Sequence, residues 1–411
     1  MLGHTLDALR KQTLPPERFE VVVVADACTD ATAQVVADFA RTAGFSVQFH
    51  EHEAMSAAAT RNLGAHHARS EMLLFMDDDI IAAQQLAQAH LDAHPPTDMG
   101  CNSAVVLGYS KPVYLQNASW WQCDARTWWE DEFHRMTSAG HRFTYRHFFS
   151  GNVSLSKKLF DNIGGFDLSM SGRLEDYEIG ARLIKAGARF KFAPQAIGEH
   201  HDNTTYDKWL ARVKHEGIAS ILIGDRHPEL RAEIFGNVVA PAATRQERFA
   251  RVLATKHPRL GDALFPAALK LAHRLERIRL RHRWRAMRLA LREYCYLRGV
   301  CSQIGDLSKL SSWLQDGPPL PTVASDAPVV DVLKLSQITD AELLEASRKG
   351  VRLTCDGIEV TTLPPRPGAE SLRVEHLAYA FGEHARRTFV PALAIHFARE
   401  FNPNAGVRYA G

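Results

Sequence analysis

Two apolar strand patterns that end in acidic residues constrain this chain more than any other feature. The stretch VVVVADACTD (21–30) runs from four valines into two aspartates, and MLLFMDDDI (72–80) contains three consecutive aspartates. Both runs are continuously apolar, which is typical of parallel strands covered by helices on both faces. Ligands of such sheets bind at the carboxyl ends of the strands. The pattern therefore predicts a ligand site beside these aspartates.

Helical segments separate the apolar strands in the first part of the chain. The predicted strands are FEVVVVA (19–25), FSVQFHE (45–51), EMLLFMD (71–77) and RFKFAP (189–194); the predicted helices include TDATAQVVADFARTAG (29–44), SAAATRNLGAHHA (56–68) and RLEDYEIGARLIKAG (173–187). Alternating strands and helices are typical of the α/β class, and we expect a mostly parallel sheet. No fold is predicted for the aromatic stretch WWQCDARTWWEDEF (120–133).

The length and the changes in composition along the sequence predict four segments. With 411 residues, of which 45% are hydrophobic and 23% charged, the chain has room for several folded parts. We predict an α/β domain over 1–220, a basic helical extension over 221–315, a linker over 316–328 and a small C-terminal α/β domain over 329–411. The six cysteines are scattered without a CxxC pair, which favours reduced thiols in the cytoplasm.

The triple aspartate favours a cation. An extended strand end directs Asp77 and Asp79 to one side and Asp78 to the other. Converging carboxylates repel each other unless a cation lies between them, and hard oxygen ligands favour Mg²⁺ or Mn²⁺ bound together with substrate phosphates. The alternative is that the acids cap the following helix. Asp26, after the first strand, contacts either a base or ribose edge or only solvent.

A second group of candidates lies further along the chain. Glu175 and Asp176 open a helix, where the helix dipole favours acids and where a rigid position suits a general base. His200 and His201 follow the strand at 189–194, and a neutral imidazole there would complete a metal site with Asp79.

The motifs, in this order, carry a family resemblance. The segments QTLPPERFEVVVVAD, ATRNLGAHHARSEMLLFMDDD, SGNVSLSKKLFDNIGGFD and EDYEIGARLIKAG resemble family 2 glycosyltransferases of the GT-A fold, from about residue 5 to 220. The resemblance implies a Rossmann-like αβα sandwich. It also implies an inverting transfer of a sugar from a nucleotide-diphosphate sugar, commonly a UDP-sugar, to a hydroxyl of a saccharide or lipid-linked acceptor.

The resemblance also implies roles for individual residues. Asp26 would contact the nucleotide base, and Arg61 would line the nucleotide pocket. Ribose, diphosphate and metal would be held by Asp77, Asp78 and Asp79.

On the acceptor side, Asp176 would deprotonate the acceptor hydroxyl, with Glu175 as its neighbour. The metal ligand from the strand after 189 would be His200, with His201 as the alternative.

The chain departs from the family pattern at its start. Family members begin with a strand of the type VSVVIPTYN, whereas this chain begins within the helix that should follow it. We hypothesise that Met1 is a misassigned start or a truncation. If the strand is lacking, a degenerate nucleotide- or carbohydrate-binding protein without activity becomes the alternative. Ala25 and Cys28 stand where the family more often has an acid and a glycine.

A third alternative is a sugar-nucleotide nucleotidyltransferase, which shares the αβα architecture. Such an enzyme needs a glycine-rich basic phosphate loop near its amino terminus, and the sequence has none there.

Two further segments leave alternatives open. The arginine-rich stretch 270–298 is predicted to be one amphipathic helix, which either contacts an anionic membrane surface or packs on the catalytic domain. No nucleic-acid-binding fold is recognised. Four tryptophans either stack on sugar rings or fill the core: Trp120, Trp121, Trp128 and Trp129.

Overall fold

The predicted alternation of helices and strands is present in the first of two structural units. The computed structural model describes residues 1–53, 56–95, 103–170, 174–239 and 244–384. The first unit comprises Met1–Arg135 and Phe143–Pro319, and the second comprises Met136–Arg142 and Leu320–Gly411.

The N-terminal part of the first unit runs from α1 to β7. Its elements are α1 (Leu2–Leu9), β1 (Glu20–Asp26), α2 (Thr32–Ala40), β2 (Ser46–His52), α3 (Ala57–His67), β3 (Met72–Met76), β4 (Ile80–Ala82), α4 (Leu86–Ala93), β5 (Ala104–Pro112), α5 (Trp120–Met136), β6 (Asn152–Ser156), α6 (Lys157–Asn162), α7 (Glu175–Lys185) and β7 (Arg189–His200).

Local signals set several of these boundaries. The Ser56 hydroxyl accepts a hydrogen bond of 3.3 Å from the backbone N–H of Ala59 and caps the start of α3. Gly187, which the sequence places at the end of α7, has a φ of 83°, a left-handed conformation that terminates the helix and starts the turn into β7.

The sheet is mixed, which corrects the expectation of a mostly parallel sheet. Five strands lie in the order β3-β6-β5-β7-β4, and β1 pairs with β2 in a separate parallel pair. Among the described residues β5 and β7 are parallel, whereas the pairs β3–β6, β5–β6 and β4–β7 are antiparallel. Strand β6 is buried along its whole length, as a parallel strand covered by helices on both faces would be, so its burial does not reveal its antiparallel direction.

The outer edges of β1 and β3 are not bridged by another strand in the described part of the chain. The four valines of β1 are only half-buried, whereas β6 is buried along its whole length. Leu6 and Leu9 of helix α1 belong to the same apolar cluster as Val21 and Val23 of β1. The most apolar strand of the sequence is thus less buried than its composition predicts.

Helices make up the rest of the first unit. They are α8 (Tyr206–Arg226), α9 (Arg231–Val239), α10 (Arg245–Thr255), α11 (Pro258–Arg277), α12 (Arg281–Ile304) and α13 (Leu307–Gln315). Trp284, Leu297 and Val300 of α12 are almost fully buried against α8 and its neighbours. In the segments that the structure describes, no helix is long and apolar enough to cross a lipid bilayer.

The single helix expected over 270–298 is wrong. Helix α11 ends at Arg277 and α12 begins at Arg281, with Arg279 between them at a φ of 57°. A left-handed arginine costs about 1 kcal/mol and ends the helical hydrogen-bonding pattern. The continuous arginine-rich periodicity hides this break.

The second unit has its own small sheet and core. Its elements are β8 (Val329–Asp331), α14 (Asp340–Lys349), β9 (Val351–Cys355) and β10 (Ile358–Leu363), and residues 374–384 are also helical. Strand β9 pairs with β8 in parallel and with β10 in antiparallel orientation. Ala346, Val351 and Leu353 form the centre of the core.

Candidate active site

The three consecutive aspartates form the turn between β3 and β4. The backbone N–H of Asp77 donates a hydrogen bond of 3.1 Å to the carbonyl of Gly151, and the Thr5 hydroxyl donates one of 2.7 Å to the carbonyl of Asp78. Helix α4 follows only after Gln85, which occupies its N-cap position. The aspartate carboxylates therefore do not cap this helix, and backbone hydrogen bonds hold the turn.

Arg61 of α3 joins this turn to the start of α7. Its Nη2 donates a hydrogen bond of 3.2 Å to Asp77 Oδ1, and its Nη1 donates one of 2.9 Å to Glu175 Oε1. Asp176 Oδ1 lies 3.9 Å from the same Nη1. Burial lowers the pKa of Arg61, but the charges of Asp176, Asp77 and Glu175 outweigh it, and the net pKa is raised. Arg61 is thus a fixed cation among three acids.

Asp176 has the environment of a general base. Burial raises the pKa of its carboxyl to about 7, against the opposing charge of Arg61 and with help from Glu175. Its Oδ2 accepts a hydrogen bond of 3.4 Å from the Ser150 N–H, and its Oδ1 is buried without a hydrogen-bond partner among the described residues. A carboxylate with a pKa near neutrality takes up a proton readily at physiological pH.

The backbone before α7 presents both acids. Leu174, the N-cap residue, adopts the left-handed conformation with a φ of 60°. Glu175 and Asp176 then occupy the first turn, where the helix dipole stabilises negative charge. A non-glycine residue in this conformation is costly, and such positions cluster at functional sites.

Asp79 and His200 form a second pair beside the turn. His200 Nε2 lies 3.6 Å from Asp79 Oδ1, because the last residue of β7 is in register with Ile80 of β4. Burial opposes protonation of His200, but Asp79 dominates and raises the pKa of the imidazole. His201 meets Asp79 through its backbone N–H, at 2.9 Å from the Asp79 carbonyl.

The residues of this pair fit a divalent cation in part. Asp79 Oδ1 is buried and has no hydrogen-bond partner in the described residues. Such an oxygen is able to coordinate a cation. The described ranges contain no group of three or more His, Cys, Asp and Glu side chains arranged around a common metal position. Two protein ligands suit Mg²⁺ or Mn²⁺ only when substrate phosphates complete the coordination.

The other predicted site residues lie on the rim. Asp78 is exposed, and loss of solvation together with the charges of Asp79 and Asp77 raises the pKa of its carboxyl. Asp26 is exposed at the end of β1, where Ala27 turns the chain with a φ of 50°. The described contacts bring Arg61 together with acids of two elements, and Asp26 is not among those acids.

Three residues without a predicted role support this arrangement. The Asn62 side chain donates a hydrogen bond of 2.8 Å to the Phe166 carbonyl and accepts one of 2.8 Å from the Phe166 N–H. The Phe166 ring lies under the Arg61 guanidinium, 5.5 Å away. A Cβ on Gly151 would lie 2.7 Å from Asp77 Oδ2, so this glycine makes room for the carboxylate. The quoted motifs RNLG, SGN and GGFD contain these residues, but their contacts are long-range.

The four tryptophans of α5 differ in their exposure. Trp121 is buried in the core near Trp209, and Trp120 packs on Trp284 with ring centroids 5.4 Å apart. Trp129 packs against Phe133 and Phe149. Trp128, by contrast, is 49% exposed. Trp128 is therefore the most exposed of the four.

A comparison with known families decides the class of the chain. The family described as "Glycosyltransferase like family 2" matches residues 4–222, which include every predicted site residue. The chain belongs to this family. The glycosyltransferase class and the GT-A fold predicted from the motifs are thereby confirmed.

Curated relatives of this family 2 glycosyltransferase are distant. Validoxylamine A glucosyltransferase of Streptomyces hygroscopicus subsp. limoneus is 29% identical over 264 residues, which cover 57% of the chain and 56% of that protein. Pre-mycofactocin glycosyltransferase of Mycobacterium tuberculosis is 25% identical over 192 residues, covering 45% of the chain and 38% of that protein. The chain thus spans about half or less of the length of these relatives.

Among solved structures, the mannosyltransferase PcManGT from Pyrobaculum calidifontis, in complex with GDP-Man and Mn²⁺, matches with a TM-score of 0.47 and 18% identity. The match covers 74% of the family 2 chain and 83% of the mannosyltransferase.

Proposed function

We propose that the protein transfers a hexose from a nucleotide-diphosphate sugar, a UDP-sugar in the first instance, to a hydroxyl of a saccharide or lipid-linked acceptor, with inversion at the anomeric carbon. The observation that carries this proposal is Arg61, which joins the acid at the end of β3 to the acids that open α7. A relative named a glucosyltransferase supports a hexose donor.

The acceptor step rests on Asp176. Its carboxylate takes the proton of the acceptor hydroxyl as the oxygen attacks the anomeric carbon. A pKa of about 7 keeps a large part of the group ionised at neutral pH, yet makes it a better proton acceptor than an ordinary aspartate. Glu175, bonded to Arg61, sits beside it and is proposed to orient the acceptor.

The donor step rests on the turn after β3. Arg61 and the Asp77 turn line the nucleotide side, with Asp78 and Asp26 proposed for the ribose and the base. Asp79 and His200, with Asp77 beside them, would hold Mg²⁺ or Mn²⁺, which neutralises the charge of a diphosphate leaving group when bound. His201 remains the alternative ligand, because its Nε2 is buried without a hydrogen-bond partner among the described residues.

The wider assignment is also proposed. The catalytic domain is 1–220, the basic helical extension 221–315, the linker 316–328 and the C-terminal domain 329–411, in a cytoplasmic protein. Membrane contact, one of the two alternatives for 270–298, is proposed for α11 alone, because the apolar residues of α12 are buried.

The experiment replaces Asp176 with Asn. We expect the variant to bind UDP and Mn²⁺ by calorimetry like the wild type, while transfer from the preferred UDP-sugar, or its slow hydrolysis, falls by about 10²–10⁴-fold. Asp207→Asn, a change in the first turn of α8, is the matched control. Wild-type turnover by Asp176→Asn would remove Asp176 from the role. A wild-type protein that binds nucleotide but neither transfers nor hydrolyses sugar would be a binding protein.

A further inference from the structure

Helix α11 carries an apolar stripe on its solvent-exposed face. Leu260, Leu264, Leu271 and Ile278 are 53%, 42%, 44% and 53% exposed. Their spacings of four, seven and seven residues bring them to one face of the helix. From Leu260 to Ile278, which directly follows the last helical residue, the stripe covers 18 residue steps, about 27 Å at the rise of an α-helix.

The neighbouring face of the same helix is packed against the core. Gly261, Ala272 and Leu275 are buried, and the last two belong to the core that α12 completes. The exposed stripe is therefore additional to the residues that fold the unit. Isolated exposed leucines are common, whereas an exposed row of this length is typical of an interaction surface.

Cations border the stripe on its solvent side. The exposed basic residues of the helix are Arg259, Lys270, Arg274 and Arg277. Residues 279, 281, 283 and 285, which follow the helix, are exposed arginines as well.

The two acids of α11 are engaged elsewhere. Asp262 accepts hydrogen bonds from Tyr294 at 2.6 Å and from Arg298 at 2.8 Å. Glu276 accepts one from the backbone N–H of Trp120. The charge that the helix presents to solvent is therefore positive.

We propose that this stripe and its cations, here called the α11 face, bind the surface of an anionic lipid bilayer. Leucine and isoleucine side chains enter the boundary between headgroups and acyl chains, while arginine and lysine pair with the lipid phosphates. The helix lies in the plane of the interface. A single helix of this kind gives reversible binding, so the protein remains a peripheral one.

The face is distinct from the residues proposed for sugar transfer, so its test needs no turnover. The full chain is floated with vesicles of phosphatidylcholine alone and with vesicles of equal parts phosphatidylcholine and phosphatidylglycerol. We expect binding to the anionic vesicles that weakens as salt rises, because the cations act through screened charge.

Two sets of substitutions dissect the face. The triple change Leu260→Gln, Leu264→Gln and Leu271→Gln should weaken vesicle binding about tenfold or more, because half-exposed leucines each contribute to partitioning. The triple change Lys270→Gln, Arg274→Gln and Arg277→Gln should remove the preference for anionic lipid. All six side chains are exposed, so the substitutions should leave the fold intact. The melting temperature of each variant checks this.

The matched control changes two apolar residues of the second unit. Leu333→Gln and Ile358→Gln alter side chains that are 68% and 66% exposed, and we expect vesicle binding to be unchanged. Wild-type protein that ignores anionic vesicles, or a leucine variant that binds them as well as the wild type, would overturn the proposal. A wild-type dimer in light scattering that the leucine variant converts to monomer would also overturn it, since the face would then join two copies.

Discussion

Arg61 donates a hydrogen bond of 2.9 Å to Glu175, which follows it by 114 residues in the chain. The same guanidinium reaches Asp77 at 3.2 Å, so a planar fork spans two acids on different elements. A lysine has one ammonium group and cannot reproduce this geometry.

We expect Arg61→Lys to keep the fold but to lower transfer at least about tenfold, since the two acids lose their common partner. Arg61→Gln should also lower the free energy of unfolding by about 1–3 kcal/mol, because Glu175 and the half-exposed Asp77 lose a charged donor. Activity assays and urea denaturation measure the two effects. Arg69→Lys, at an exposed arginine bonded to Glu20, is the control. Equal transfer by Arg61→Lys and wild type would contradict the prediction.

The pH profile of transfer should follow Asp176. With a pKa of about 7, the carboxyl gains its proton as pH falls through 7, and a general base without its negative charge is inactive. The rate at saturating substrate should therefore fall below pH 7 with a slope of one proton. The charged groups around Asp176 are Arg61, Glu175 and Asp77. A profile that is flat from pH 5 to 8 would contradict the assignment, which rests on a midpoint of about 7.

The stability of the protein should show the opposite trend at this residue. The pKa of Asp176 is higher in the folded than in the unfolded chain, so the folded state holds the proton more tightly between about pH 4 and 7. Stability contributed by this group is present at low pH and is lost as pH rises through that window. Asp176→Asn should therefore melt at a higher temperature than wild type at pH 8, and the difference should shrink toward pH 5. Asp207→Asn should show no such trend.

Two neighbouring histidines, His90 buried and His94 half-buried, make the first unit sensitive to acid. The His90 ring lies 2.8 Å from the Ser154 hydroxyl and 2.8 Å from Asn152 Oδ1, and the His94 ring lies 2.8 Å from the same Ser154 hydroxyl. Burial lowers the pKa of both histidines to about 4.

Because the unfolded chain binds these protons more readily, stability should fall as pH drops from 6.5 toward 4, on the order of 3 kcal/mol for His90 at the limit. Denaturation across this range measures the slope. His90→Gln should flatten it at the cost of a lower plateau, and His215→Gln, at an exposed helical position, should leave it unchanged. If the double variant His90→Gln, His94→Gln lost stability with falling pH as steeply as the wild type, the two histidines would not be the cause of the acid sensitivity.

Gly151 tests whether Asp77 must sit where it does. An added Cβ would lie 2.7 Å from Asp77 Oδ2, and the carboxylate can move because it ends a flexible side chain. We expect Gly151→Ala to leave the melting temperature within a few degrees of wild type but to weaken nucleotide binding in calorimetry. Gly382→Ala, where a Cβ meets nothing within 4 Å, is the control. If Gly151→Ala bound the nucleotide with unchanged affinity, nucleotide binding would not depend on the position of the Asp77 carboxylate.

Metal dependence is checked by thermal shift. A cation held by Asp79 and His200 together with UDP should raise the melting temperature in proportion to the logarithm of its concentration. Asp79→Asn and His200→Gln should each reduce the shift that Mn²⁺ plus UDP produces. Chelation should reverse it in wild type. If Asp79→Asn kept the full melting-temperature shift with Mn²⁺ and UDP, residues other than Asp79 would hold the cation.

The positions of individual strands and helices were predicted well from the sequence, whereas strand direction and one helix break were not. The strand predicted over 19–25 is observed at Glu20–Asp26, and the helix predicted over 56–68 at Ala57–His67, because apolar runs and capping residues act locally. The antiparallel direction of β6 was not predictable, since burial pattern carries no direction. Nor was the helix break at Arg279, where the arginine-rich period continues across the left-handed residue.

The same division holds for the candidate site. The aspartates at strand ends and the acids at the start of α7 are visible as motifs. The contact of Arg61 with Glu175 is not, because it depends on how α3 and α7 pack. Asn62 and Gly151 stand within quoted motifs, yet only the packed structure reveals that one ties a loop to α3 and the other gives Asp77 its space.

In the part of the chain that the structure describes, the outer edges of β1 and β3 pair with no other strand, which has a practical consequence for handling the protein. The edge of a strand with half-buried valines offers backbone N–H and C=O groups with which an extended segment of another polypeptide can pair. Concentrated samples should therefore self-associate through backbone pairing before they unfold. A short valine-rich peptide added in trans should compete with that association and raise solubility.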